Sequence, residues 1–372
     1  MKNILPIAFS ILIIFVSCSD NKLRINEQME TFSAFPHIDT LRFTPMEGEI
    51  LDEPEEIMIH NDHLIINTLC RAKDKFLWIY SLKNESVINR LIDYGDGPNE
   101  MKACEMMLQD TTLCLYDRTK KKVWYLSAND CLDTTPSFIK KDLNVSYYDM
   151  ELMDDSVVIG TNDMSSKFKL HFVNLKTGAI KNQGEYASFD KELPMSAMID
   201  ASSCYVDINP KTKDIVLSYR YTDVIEIYDA NGTLKKALQG PDNYDVDFVI
   251  NSNQTMGKTP QTRKAYVNSF ATENYIYLLY SGCYRKDKNW SNGMRLFVFS
   301  WDGEPVREYV LEEPVYAFGI DEKQNKMYSF SLITENLIVT DLKLLLWKQR
   351  KRFNVTRTTR CWEVSLRVWP NI

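Results

Sequence analysis

Residues 56–94 read EIMIHNDHLIINTLCRAKDKFLWIYSLKNESVINRLIDY. The stretch holds four strand signals in succession. Residues 56–60 and 64–69 are largely apolar runs on either side of Asn61-Asp62, an Asx pair suited to a tight hairpin turn. Residues 76–82 form a third run, rich in aromatic and β-branched side chains. After a polar turn the fourth spans 87–94.

The same cadence recurs downstream. Paired runs occur at 105–108 with 112–116, 157–160 with 168–174, 205–209 with 215–219, 265–270 with 275–280, and 317–321 with 326–331. A third strand is expected at 76–82, 123–127, 170–175, 224–229, 296–301 and 336–340. Taking Tyr80, Tyr125, Val173, Tyr228, Phe299 and Val339 as equivalents gives spacings of 45, 48, 55, 71 and 40 residues. A fourth strand follows at 87–94, 138–142, 233–239 and 305–311. No long segment sustains an apolar period of 3.6 residues with caps. Propeller blades repeat about every 40–50 residues, and longer loops stretch that spacing. The pattern therefore predicts an all-β chain, a six-bladed β-propeller of four-stranded antiparallel blades over residues 39–342. A strand at 40–45 would complete the last blade and close the ring. Two β-sandwich domains are the alternative, but they fit a six-fold recurrence less well, and no Pro/Gly/Ser linker divides the chain.

The 372 residues are 44% hydrophobic, which is ample for a large core and excludes a disordered chain. The net charge of −7 is the balance of +1 in residues 1–17, −15 in residues 18–342 and +7 in residues 343–372. A central segment this acidic argues against nucleic acid as a partner.

The first 17 residues read as an export signal peptide: Lys2 precedes an apolar run from Ile4 to Val16, too short to span a membrane. Phe15-Val16-Ser17-Cys18 resembles a bacterial lipobox, with Phe15 where Leu is usual. That resemblance makes Cys18 the lipidated first residue of a mature lipoprotein. Residues 18–38 then read as a tether. Seven cysteines remain: Cys70, Cys104, Cys114, Cys131, Cys204, Cys283 and Cys361. Their number is odd and no CxxC or zinc spacing occurs, so buried free thiols are expected, with one incidental disulfide as the alternative. Residues 343–372 carry eight Lys/Arg, one Glu and three of the seven Trp. This tail is either a membrane-surface segment or an appendage unrelated to the ring.

Gly95-Asp96-Gly97-Pro98-Asn99-Glu100 resembles the GxGPxE signature of six-bladed, TolB-like β-propeller lipoproteins of Bacteroidetes. Residues 219–229, and Phe299-Ser300-Trp301-Asp302-Gly303-Glu304-Pro305-Val306, resemble later stretches of the same family. The resemblance covers roughly residues 18–342. It implies a lipid-anchored propeller on the outer or inner membrane, periplasmic or surface-exposed, and it leaves the ligand open.

The Gly95/Gly97 segment does not suit a phosphate loop. Glu100 stands where a third glycine belongs, Pro98 lacks an N–H, and Asp96 repels phosphate. A turn needing positive φ at the two glycines is expected instead. No nucleophile elbow, zinc helix, Walker loop or EF-hand loop occurs, and no cofactor is implied. The loops between second and third strands open on one face of a propeller, and here they carry Arg71, Arg118, Arg220 and Arg285, with Tyr221 beside Arg220. Four guanidinium groups converging on the channel mouth would bind a carboxylate, sulfate or acidic glycan. The alternative is solvated arginines paired with Asp74, Asp117, Asp223 and Asp287. The resulting expectation is a non-catalytic module binding an envelope protein, peptide or acidic glycan. A metal-dependent propeller hydrolase or lactonase is the rival.

Overall fold

The computed structural model describes residues 29–48, 52–70, 74–186 and 193–343. Cys18, Arg71 and the basic tail beyond Lys343 lie outside them. Six sheets form six blades, each an up-and-down meander. Blade one is Pro54–His60, His63–Thr68, Lys75–Ser81 and Ser86–Tyr94, counted from the channel outward. The His60–His63 hairpin turns at Asn61-Asp62 as its sequence suggests. Blade two is Glu105–Gln109, Thr112–Asp117, Lys122–Ser127 and Ile139–Asp142. Blade three is Asp149–Asp154, Val157–Thr161, Phe168–Asn174 and Ile180–Glu185. Blade four is Cys204–Ile208, Ile215–Tyr219, Val224–Tyr228 and Leu234–Gln239. Blade five is Tyr266–Ala271, Tyr275–Tyr280, Gly293–Ser300 and Pro305–Val315. Blade six is Phe318–Asp321, Lys326–Ser331 and Asn336–Asp341.

Middle strands are predominantly apolar because both of their faces are covered by neighbouring blades. In blade one, Leu64, Ile66, Trp78 and Tyr80 point toward blade six and join Tyr328, Phe330 and Leu337. The alternate residues Ile65, Leu77 and Ile79 point toward blade two and join Met106, Leu113 and Leu115. The period-2 geometry of a strand thus serves two cores at once. The same arrangement repeats around the ring, so that each of six apolar clusters occupies one blade–blade interface.

Blade six receives its fourth strand from the N-terminal side. Thr44–Pro45 pairs antiparallel with Asn336–Asp341, matching Val339 to Thr44 and Ile338 to Pro45, as the strand expected at 40–45 required. Three departures from the sequence reading follow from tertiary pairing. Ile38–Leu41 adds a fifth, parallel strand to blade five, and Glu30–Thr31 does the same for blade four. The stretch read as a tether is therefore ordered from Met29 onward, because Phe32 and Phe35 dock on Phe299 and Phe297. Blade one also gains a fifth strand, Glu100–Met101. In blade three the inner strand is Asp149–Asp154; Val157–Thr161 is the second strand and Phe168–Asn174 the third.

The Gly95–Glu100 turn is not held by the expected backbone conformation. Neither Gly95 nor Gly97 has positive φ. Glu100 Oε2 instead folds back to accept a hydrogen bond from Gly97 N at 2.7 Å. A Cβ on Gly95 would sit 2.0 Å from that oxygen. Lys120 Nζ donates to the carbonyls of Gly97 and Glu100, at 3.1 and 2.8 Å, and holds the turn against blade two. All six described cysteines are free, and burial pushes the Cys70 and Cys131 thiols up to about 11 and about 12. No helix among the described residues is long and apolar enough to cross a membrane.

Candidate functional site

Inner strands of adjacent blades share no ladder, so their backbone groups need other partners. Side chains supply them. Glu56 Oε2 accepts from Met106 N in the next blade at 2.7 Å and from Asn67 Nδ2 at 2.8 Å. Asp149 Oδ2 accepts from Val206 N at 2.6 Å, and Asn268 Nδ2 donates to the carbonyls of Glu55 and Tyr316. The carboxylates that stitch the ring therefore also line its axis. A channel of about 1260 Å³ contains Glu56, Glu105, Asp149, Glu151 and Asp207. Burial raises the Glu56 carboxyl to about 8 against the opposing hydrogen bond from Asn67. It likewise raises Asp149 to about 7 and Asp207 to about 6. Among the described residues no group of three or more His, Cys, Asp or Glu is placed to hold a metal ion.

The channel wall starts at turns joining first and second strands, such as Asn61, Asp110 and Asn274, and runs inward to Tyr148, Tyr205 and Tyr316. Arg118 and Arg220 meet at this inner end. Arg220 lies 4.6 Å over the Tyr148 ring, 5.5 Å over Tyr205 and 5.7 Å over Tyr221. Arg118 lies 5.9 Å over Tyr148 and 3.5 Å from Glu105. A second cavity, of about 560 Å³, opens on the opposite side of this pair. It is lined by Arg118, Tyr148, Asn162, Asp200 and Ser203. Arg118 and Tyr148 thus form the partition between channel and face.

Arg285 does not join them. It is exposed and donates to the Lys258 carbonyl, so at most two of the described arginines converge. The loop aspartates do not neutralise these arginines. Asp117 caps Lys102 N and Lys120 N, Asp223 caps Asp242 N and Asn243 N, and Asp287 caps Tyr284 N, while Asp74 lies 3.9 Å from Arg90. Acidic turn residues satisfy backbone donors first because those donors are fixed beside them. Tyr221 is buried and stacks on Trp290, 6.5 Å centroid to centroid at 20°. The sequence reading missed Lys258, Lys264 and Trp290, which gather around the same ring. Lys258 and Lys264 lie on the connection from blade four to blade five rather than on a loop between second and third strands.

Fold and site together define a six-bladed propeller with an acidic channel whose inner end carries arginine and tyrosine. The chain belongs to the TolB-like 6-blade propeller-like family, whose model matches residues 34–323. Two solved structures share the fold. One, described as a "Putative exported protein" from Bacteroides fragilis, is 10% identical with a TM-score of 0.57, over 84% of this chain and 99% of that one. The other, a member of the duf4221 family from Bacteroides vulgatus, is 11% identical with a TM-score of 0.53, over 82% and 98%. No curated protein matches the chain.

Proposed function

We propose that this chain is an exported lipoprotein, anchored in the cell envelope through Cys18, whose propeller binds an anionic peptide, glycan or protein partner without catalysing its turnover. The export signal, the lipobox-like Phe15–Cys18 and the exported Bacteroides relative of like fold support the address. The observation carrying the binding role is the half-buried Arg220. Its guanidinium is enclosed by tyrosines, its Nε has no hydrogen-bond partner, and no carboxylate among the described residues pairs with it. A positive group held in place and left unpaired by its own protein is disposed to meet a negative one from outside. The face that would receive it carries the 560 Å³ cavity edged by Arg118.

The test is capture of partners from native membranes by the tagged wild type and by the Arg118→Ala/Arg220→Ala double variant, with labelled palmitate incorporation in Cys18→Ala as the anchoring control. Loss of partners from the double variant is expected. Equal capture by both proteins would sink the binding role, and undiminished lipid label in Cys18→Ala would sink the anchor.

A further inference from the structure

Lys264 is only 3% exposed, yet its ammonium forms no ion pair or hydrogen bond among the described residues. Its one kind of contact is aromatic: Nζ lies 5.2 Å from the Tyr221 ring and 5.5 Å from Trp290. Its sequence neighbour Arg263 shows the ordinary solution, pairing with Asp242 at 2.6 Å. Lys264 is held where it is by backbone alone. Its N donates to Cys283 O, its O accepts from Gly282 N, and Ala265 N donates to Arg220 O at 2.8 Å. Lys258, half-buried, lies 5.3 and 5.9 Å from the same two rings.

Three cations thus surround one aromatic pair, and none has a carboxylate partner among the described residues. Two further buried donors here, Arg220 Nε and Trp290 Nε1, also lack acceptors. Asp200 senses Lys258 and Arg220, and Asp149 senses Arg220, but neither acid forms an ion pair with them. Burial, then the like charges of Arg220 and Lys258, push the Lys264 ammonium well below its ordinary pKa. Unpaired buried donors and charges destabilise a fold, so such a cluster is retained at a cost in stability. The geometry points to a compact oxyanion site: Lys264, Arg220 and Trp290 Nε1 would hold a carboxylate, sulfate or phosphate group, with half-buried Lys258 and Trp290 forming its mouth. The site rests on the proposed anion-binding role of this face and narrows it to one chemical group and one set of donors.

Thermal unfolding of the purified chain tests it, with sodium glucuronate, sulfate or phosphate at low millimolar concentration and constant ionic strength against chloride. A ligand that binds the folded state raises the midpoint. At least one probe should raise that of the wild type. Lys264→Met should start from a higher midpoint, having lost an unpaired buried charge, and should show at least a tenfold weaker response. Trp290→Phe should keep the starting midpoint and weaken the response. A wild type indifferent to all three probes overturns the site, as does a Lys264→Met variant that responds like the wild type. A response lost in Arg118→Ala but kept in Lys264→Met also overturns it, while leaving anion binding at this face standing.

Discussion

Lys169, in the third strand of blade three, places its Nζ 2.8 and 2.9 Å from the two carboxylate oxygens of Glu226, in the third strand of blade four. The Tyr219 and Tyr228 hydroxyls each donate to Glu226 Oε2 at 2.7 Å. The pair is 5% and 0% exposed, so a charged bond lies in the middle of an otherwise apolar interface. Burial by itself would raise the Glu226 carboxyl, but Lys169 and the two hydroxyls hold it below its ordinary value.

Removing one partner leaves the other charge buried and unpaired. Lys169→Met should cost about 3–5 kcal/mol, whereas Lys169→Met/Glu226→Gln, which keeps an acceptor for both tyrosines, should recover most of the loss. Urea unfolding of the two variants checks this; equal losses would show that the charge is not the source.

The channel acids make stability fall as pH rises. Glu56, Asp149 and Asp207 have folded pKa values of about 8, about 7 and about 6, against ordinary values of 4.5, 3.8 and 3.8. The folded state therefore holds more protons than the unfolded one between these limits. Their contribution is full below about pH 4 and is lost as pH rises toward 8. Glu56→Gln keeps the acceptor for Met106 N without the ionisation. It should flatten the upper part of this decline and gain about 1–2 kcal/mol over wild type at pH 8. A pH–stability profile parallel to wild type would refute it.

Phe35 meets Phe32, Phe297 and Phe299 at centroid distances of 5.4, 4.7 and 5.3 Å. Phe35→Ala should destabilise by about 3–4 kcal/mol. It should also increase proteolysis within residues 29–45, since that residue fastens the N-terminal strands to the ring. An unchanged cleavage pattern would contradict this.

Gly95→Ala should evict the Glu100 carboxylate from Gly97 N and cost about 1–2 kcal/mol. Adding Glu100→Ala to it should cause little further loss, because the contact is already gone. Additive losses in a double-mutant cycle would show that Gly95 matters for its backbone instead.

Much of the ring was legible because second and third strands are buried on both faces, and sequences such as Lys75–Ser81 advertise this as unbroken apolar runs. Strands with one solvated or channel-facing side hide. Asp149–Asp154 opens by alternating acids with Met and Leu because Asp149 and Glu151 face the axis, and Ile180–Glu185 is polar and exposed. The two-residue parallel strands have no pattern to read: Glu30–Thr31 takes its register from Leu238 and Gln239, far along the chain, and Glu100–Met101 takes its own from Asp93 and Tyr94 across the intervening turn. At the site, loop position singled out Arg118 and Arg220. Enclosure by Tyr148 and Tyr205 depends on blades meeting in space, as does the isolation of Lys264 beside the well-paired Arg263.

The pairing of Thr44 with Val339 joins opposite ends of the described chain. Five blade–blade contacts link neighbours in sequence and can form as soon as their strands exist. The sixth must wait for the last blade. Until the ring closes, Trp78 and Tyr80 on one side, and Tyr328 and Phe330 on the other, remain bare, at the ends of an open arc. An unfinished copy presents two complementary sticky ends, which would equally well fit a second unfinished copy. Productive folding of this chain therefore needs conditions in which ring closure outpaces encounter between molecules.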